Sequence, residues 1–313
     1  MKPWLLMLIP YFGRWPEWIN LFVESCKWNP GVRWQLYTDC GEPENKADNV
    51  HYCHLTFNDY KALVRERLGI AFDPPTPYKL CDLRPCLAYI HERDVADFPF
   101  FGYGDIDVVY GNISHFYTPK LLASFDVLST HPERLSGHFT VLRNTNAFRL
   151  AFKRIPNYPA LLEQPHYLGM DEGQFTRVFS PSAAYPHGFR RLIDYFTPGR
   201  RSLLFVERYS TVLSPRGWHD GTMNYPPQWF WRRGRLTNER DGEREFLYLH
   251  FMRWQSGRWM PNPPAPTEAA WLRLERIVQV DWRRAATEGF CISPEGFTEI
   301  GPSTALSSSR PTG

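Results

Sequence analysis

Phe100-Phe-Gly-Tyr-Gly-Asp-Ile-Asp-Val-Val-Tyr-Gly111 is the stretch from which the fold can be read. An apolar strand runs straight into two aspartates spaced i, i+2, with glycines at 102, 104 and 111 around them. In extended backbone, residues i and i+2 point to the same side, so Asp105 and Asp107 can face one cation. A bare Asp-x-Asp is common in solvated turns. Two charges at the end of a buried strand, without basic neighbours and followed by apolar Val108-Val109, call for a counter-ion instead. Oxygen ligands suit Mg²⁺ or Mn²⁺, which complete their shells with water and phosphate oxygens. The glycines would let a bulky ligand approach the backbone.

Working outward, residues 4–9 form a near-continuous apolar run, as expected of a strand buried on both faces of a parallel sheet. A turn at Pro10-Tyr-Phe-Gly13 leads to an amphipathic helix over 17–27, and strands are expected at 32–38 and 50–55, with a helix over 60–68. A helix over 79–93 precedes a strand at 98–102, which enters the aspartate pair. Strands at 125–129 and 139–143 and helices at 146–154 and 171–178 follow. Strands alternating with helices predict an α/β, doubly wound, Rossmann-like mixed sheet, in which ligands bind at the carboxyl ends of the strands where strand order switches. Tyr11, Phe12, Thr38 and Asp39 would lie at that edge. Beyond residue 181 the alternation fades into an irregular, antiparallel portion with strands near 205–213, 228–233 and 245–251. Three segments are expected: residues 1–260 as the main domain, 261–287 as a Pro-rich linker plus a helix from 267 to 286, and 288–313 as a flexible tail rich in Ser, Thr, Gly and Pro.

Composition narrows the class. With 313 residues, 43% hydrophobic and 22% charged, the chain can bury a substantial core. Aromatic residues make up 16%, a surplus that serves either a large aromatic core or flat surfaces for sugars and bases. Thirty-six basic against 33 acidic residues, a net charge of +3, argues against a dedicated nucleic-acid binder. Arginine pairs at 200–201, 232–233 and 283–284 could meet phosphates or an anionic membrane surface, and are otherwise solvated faces. None of the six cysteines forms a CxxC pair, which favours reduced thiols. The N-terminal apolar run is too short to span a bilayer and lacks a small-residue cleavage site, so the expected address is cytoplasmic, with peripheral contact at the inner membrane face left open.

Gly104-Asp-Ile-Asp107 after an apolar strand resembles the DXD motif of GT-A-fold glycosyltransferases. Further segments follow in the order seen in the retaining glycogenin-like and lipopolysaccharide galactosyltransferase groups. Leu135-Ser-Gly-His-Phe-Thr-Val-Leu-Arg-Asn144 resembles the segment near the donor sugar. Gly169-Met-Asp-Glu-Gly-Gln-Phe175 resembles the acidic segment at the reaction centre, and Leu249-His-Phe-Met-Arg-Trp-Gln-Ser-Gly-Arg-Trp259 the late histidine segment. The likeness covers about residues 1–260. It departs where Leu135 replaces an asparagine and where the lysine after the late histidine is absent, with Arg253 or Arg258 as substitutes.

The resemblance implies a GT-A-like transferase of an uncharacterised branch. It would carry Mn²⁺, preferred over Mg²⁺, on Asp105, Asp107 and His250, and bind a nucleotide-sugar donor, a UDP-sugar. From the residues alone, His250 among apolar neighbours is equally a core hydrogen-bonder. Asp171 and Glu172 open an expected helix, where carboxylates favour the dipole. As catalytic groups they would act as a base, giving inversion, or at the anomeric carbon, giving retention, and the motif order leans to retention. Lys79, Asp82 and Arg84 fall where related enzymes contact base and phosphates, although Lys79 and Asp82 can also pair on one helix face. Gly137 and His138 are expected at the donor sugar, Tyr11 and Asp39 at the nucleoside, and Arg253 at the diphosphate. The acceptor would be a glycan or lipid-linked saccharide on a platform of Trp218, Trp229, Trp231, Trp254 and Trp259. The competing functions are a metal-dependent nucleotide phosphohydrolase, which needs more carboxylate and histidine ligands for two metals, and a non-catalytic carbohydrate-binding protein of the same fold.

Overall fold

The computed structural model describes residues 2–131, 134–180, 189, 203–205, 218–222, 224–251, 278–293 and 296–300. Strands β1 (Leu5–Pro10), β2 (Val32–Thr38), β3 (Val50–His54) and β4 (Phe100–Gly104) run parallel in the order β3-β2-β1-β4. The sheet continues through β7 (Phe139–Arg143), antiparallel to β4, then β6 (Val127–Ser129), antiparallel to β7, and ends at β8 (Leu203–Phe205), parallel to β6. The chain moves outward from β1 to β3 and then crosses back to β4. The strand order therefore switches between β1 and β4, and the carboxyl ends of those strands border the switch.

The apolar run of β1 serves two cores at once, because side chains alternate across a strand. Leu6 and Leu8 enter one core with Tyr60 and Val64 of α2 (Phe57–Leu68). Leu5, Met7 and Ile9 enter another with Ile19, Phe22, Val23 and Cys26 of α1 (Ile19–Lys27). Helices thus cover both faces, giving the doubly wound, mixed α/β sheet that was expected. Strand β5 (Val108–Tyr110) leaves this sheet to pair with β11 (Tyr248–His250). A four-stranded antiparallel sheet joins β9 (Trp229–Arg232), β10 (Arg235–Asn238), β12 (Phe290–Ser293) and β13 (Gly296–Thr298) in the order β10-β9-β12-β13.

Several expectations need correction. Residues 79–93 do not form one α-helix. Pro77–Cys86 is a 3-10 stretch followed by the short turns Leu87–Ile90 and Glu92–Val95, because Pro85 lacks the amide that an α-helix interior requires. The expected helix over 267–286 does not run through its later part. Val278 bridges to Phe297, and the helix there is Trp282–Glu288, begun by Asp281 accepting from the Arg283 amide. The expected tail from 288 is also revised, since β12 and β13 bury Phe290, Ile292 and Phe297. Residues 301–313, the linker at 261–266, helical positions 267–277 and strand positions 206–213 lie outside the described residues.

Trp218, Trp229 and Trp231 are buried in the core beneath the second sheet, so they cannot form the expected platform, and Trp254 and Trp259 lie outside the described residues. All six cysteines are free. Among the described residues no helix is long and apolar enough to cross a membrane.

Candidate functional site

Asp105 follows β4 and Asp107 precedes β5, both partly buried, at the switch in strand order. The antiparallel ladder sets His250 opposite Val108, and the Phe251 amide donates to the Asp107 carbonyl at 3.1 Å, which brings the buried His250 ring beside the aspartates. One ligand atom from each of Asp105, Asp107 and His250 lies within 4.8 Å of the others, and His250 Nε2 is 3.7 Å from Asp107 Oδ1. Two carboxylates and an imidazole are a donor set that fits Mn²⁺. Trp18 Nε1 donates to the Ile106 carbonyl at 3.0 Å and pins the residue between the aspartates.

Arg84 joins this cluster to Asp171. Its Nη2 donates to Asp105 Oδ1 and its Nη1 to Asp171 Oδ2, the latter at 2.5 Å. The other oxygen of Asp171 accepts from the Tyr167 hydroxyl at 3.0 Å. Burial pushes Asp105 above the ordinary carboxylate range, Arg84 pulls it back and Asp171 adds to the rise. Asp171 is raised by burial in the same way, against the pull of Arg84. Instead of the expected α-helix, Asp171 and Glu172 sit in a single π-turn, Met170–Gln174, entered through Gly169 in the left-handed region (φ 72°). Such turns widen a helix locally and recur at functional sites. Glu172 is directed elsewhere: it accepts from the Gly137 amide at 3.0 Å and pairs with Arg134 at 3.1 Å.

Gly137 is packed against this row. A Cβ there would lie 2.2 Å from Arg84 Nη1 and 2.9 Å from Asp171 Oδ2. The glycines around the aspartates do not open the backbone to a ligand. A Cβ at Gly102 would meet Met7 Sδ and the Thr140 carbonyl, one at Gly104 the His138 carbonyl, and one at Gly111 the Phe246 carbonyl. They admit neighbouring protein atoms. His138 stacks on His250 with ring centroids 3.9 Å apart and bonds through Nε2 to the Tyr248 hydroxyl at 2.7 Å, which itself donates to Thr130. Burial and the neighbouring His250 lower the His138 pKa well below the usual histidine value.

The remaining expected contacts are placed as follows. Tyr11 stacks on Trp15 at 5.0 Å. Its phenol is raised by burial, then by Cys40 and by the charge of Asp107. Asp39 is exposed and accepts from the Gly13 amide at 2.7 Å, fixing the turn that carries Tyr11. Lys79 and Asp82 are buried and form an ion pair at 2.8 Å. Lys79 also donates to the carbonyls of Leu161 and His166, and Asp82 accepts from the amides of Leu168 and Met170. All three Lys79 protons are spent internally, and the pair ties the 3-10 stretch to the loop before Asp171. Arg253 and Arg258 lie outside the described residues. Tyr167, Tyr248 and Trp18 were not singled out from sequence. Only the tyrosine four residues before Asp171 carried a local signal.

The fold and this site define an α/β protein with a carboxylate–imidazole centre at a strand-order switch, backed by an arginine-bridged second carboxylate. The chain belongs to a family of unknown function, DUF6625, whose model matches residues 7–299. No curated protein matches. Among solved structures, the chain is similar to the galactosyltransferase LgtC in complex with donor and acceptor sugar analogues. That match has 10% identity and a TM-score of 0.30, over 54% of this chain and 72% of that one. It is also similar to apo mouse xyloside xylosyltransferase 1, with 11% identity and a TM-score of 0.34, over 80% of this chain and 97% of that one.

Proposed function

We propose that the chain is a metal-dependent glycosyltransferase that moves a sugar from a nucleotide-diphosphate donor, a UDP-sugar, to a glycan or glycolipid acceptor. The observation that carries this reading is the convergence of Asp105, Asp107 and His250 within 4.8 Å where ligands bind in switched α/β sheets. A divalent cation held there would neutralise charge on the departing nucleotide diphosphate.

The chain's own groups supply the rest. Arg84 holds Asp105 and Asp171 at a fixed spacing, so the two ends of the site are built as one unit. Asp171 already accepts from Arg84 and Tyr167, one on each oxygen. Both oxygens of this carboxylate are thus held in place, which suits it to oppose positive charge at an anomeric carbon and favours retention over inversion. Tyr11, fixed through Asp39 and Gly13 at the carboxyl end of β1, offers its ring to the nucleoside. A two-metal phosphohydrolase needs further ligands, and among the described residues a single Asp-Asp-His group is found.

Thermal unfolding with UDP, ADP, GDP and CDP, each with and without Mn²⁺, tests the reading. UDP with Mn²⁺ should stabilise selectively, by about 2.7 kcal/mol at a hundredfold excess over Kd. The shift should vanish in Asp105→Asn/Asp107→Asn. Equal responses to all four nucleotides, or a shift indifferent to Mn²⁺, would remove the proposal.

A further inference from the structure

Among the described residues most aromatic rings are buried, but Tyr78 is 60% exposed. It stands edge-on to Tyr167, with ring centroids 5.3 Å apart. Tyr167 is held in turn by its hydroxyl on Asp171, and the next residue, Leu168, is 41% exposed. An exposed aromatic ring and an exposed leucine are therefore anchored within one side chain of the buried carboxylate at the inner end of the site. Both are fixed by the backbone around them. Tyr78 lies in the 3-10 stretch that also carries Arg84, and the Leu168 amide is held by Asp82.

Tyr78 is tied to the Asp171 end of the site through Tyr167, whose ring it meets and whose hydroxyl donates to Asp171. Tyr11 instead follows β1, on a turn that Gly13 ties to Asp39 after β2. If Tyr11 serves the nucleoside, the ring at the Asp171 end is left for the other substrate. A flat, largely exposed ring matches the apolar C–H face of a pyranose.

We propose that Tyr78, with Tyr167 as its support, is the acceptor subsite, which takes a hexopyranoside by stacking on one apolar ring face. This rests on the transferase reading above, and it names the acceptor by the surface it offers. Tyr78 supplies the stacking surface, while Tyr167 positions both that ring and Asp171.

The test is saturation-transfer NMR on the full chain with UDP and Mn²⁺, using methyl β-D-galactopyranoside and methyl β-D-glucopyranoside as probes. At least one glycoside should bind, with saturation concentrated on the protons of a single ring face. Tyr78→Ala should weaken binding about tenfold, the value of one lost aromatic contact of roughly 1.4 kcal/mol, and Tyr78→Phe should leave it unchanged. Because Tyr78 is largely exposed, both variants should keep the wild-type unfolding midpoint and the UDP–Mn²⁺ shift. Three results overturn the subsite while leaving the parent reading intact, provided the UDP–Mn²⁺ shift persists: neither glycoside binds, saturation is uniform around the ring, or Tyr78→Ala binds like wild type. Loss of the UDP–Mn²⁺ shift in the wild-type protein overturns the parent reading instead.

Discussion

Arg84 donates to Asp105 and to Asp171 at once, and each carboxylate is pushed upward by burial while the guanidinium holds it down. Removing or displacing that one charge should therefore disturb both ends of the site. Gly137→Ala does this without replacing a charged residue, since its new methyl would stand 2.2 Å from Arg84 Nη1. The variant should fold with a loss of about 1–3 kcal/mol from overpacking. Its turnover should fall about a hundredfold, the scale of a 1 Å misplacement of a reacting group. Steady-state transfer assays alongside chemical unfolding would check both figures, and wild-type turnover would show that the Arg84 bridge is dispensable. The same residues set an acid limit. A carboxyl with a raised pKa takes up its proton at a higher pH than an ordinary aspartate, so transfer by the intact protein should fail on the acid side earlier than an unperturbed Asp would require. A pH–rate profile whose acid limb falls only near the ordinary aspartate value would contradict this.

At the scale of elements, the centre depends on β5 and β11 lying in register. Val108 faces His250, and the Trp18 hydrogen bond to Ile106 holds the loop that enters β5. Trp18→Phe keeps a large ring but leaves the Ile106 carbonyl unsatisfied, at a cost of about 1–3 kcal/mol. It should also weaken Mn²⁺ binding, because the loop holding both aspartates gains freedom, and titration followed by Mn²⁺ electron paramagnetic resonance would show it. Unchanged metal affinity would mean that the loop is held by other contacts. The strands flanking the aspartates were readable because burial on both faces writes an uninterrupted apolar run, as in Leu5–Pro10 and Phe100–Gly104. The pairing of Val108 with His250 was not readable, since register between distant segments leaves no local trace. The helix expected over 79–93 is broken up instead, with Pro85 inside a 3-10 stretch where its missing amide is incompatible with an α-helix interior. The spacing of the aspartate pair was legible, as was the option that Lys79 and Asp82 pair with each other, but their further partners Leu161, His166, Leu168 and Met170 were not, being distant in sequence.

In the molecule as a whole, β5 alternates between two cores. Val108 and Tyr110 enter the core on one face of the large sheet, and Val109 enters the core under the second sheet, so the candidate centre lies where the two meet. Composition could announce many aromatics but not which were covered, and the burial of Trp218, Trp229 and Trp231 follows from that third core. The opposite face of the large sheet carries a separate polar group in its core. His91 stacks on Tyr37 at 3.7 Å, bonds to the Tyr60 hydroxyl at 3.0 Å and lies 3.6 Å from Asp94. Burial lowers the His91 pKa, with Asp94 opposing, and burial lowers that of His138 further still. Both folded values lie below the unfolded value of about 6.5, so the unfolded chain binds more protons as pH falls. Stability should therefore be complete above about pH 6.5 and decline below it, each such histidine adding at most about 1.4 kcal/mol per pH unit. Asp94 does not enter that window, because its folded pKa is lowered from an already acidic value. His91→Phe keeps the stack on Tyr37 and removes one of the two titrating groups. Urea unfolding at several values between pH 5.5 and 7.5 should give a visibly shallower decline for the variant, and parallel curves would show that His91 is not among the groups that set the acid sensitivity of the fold.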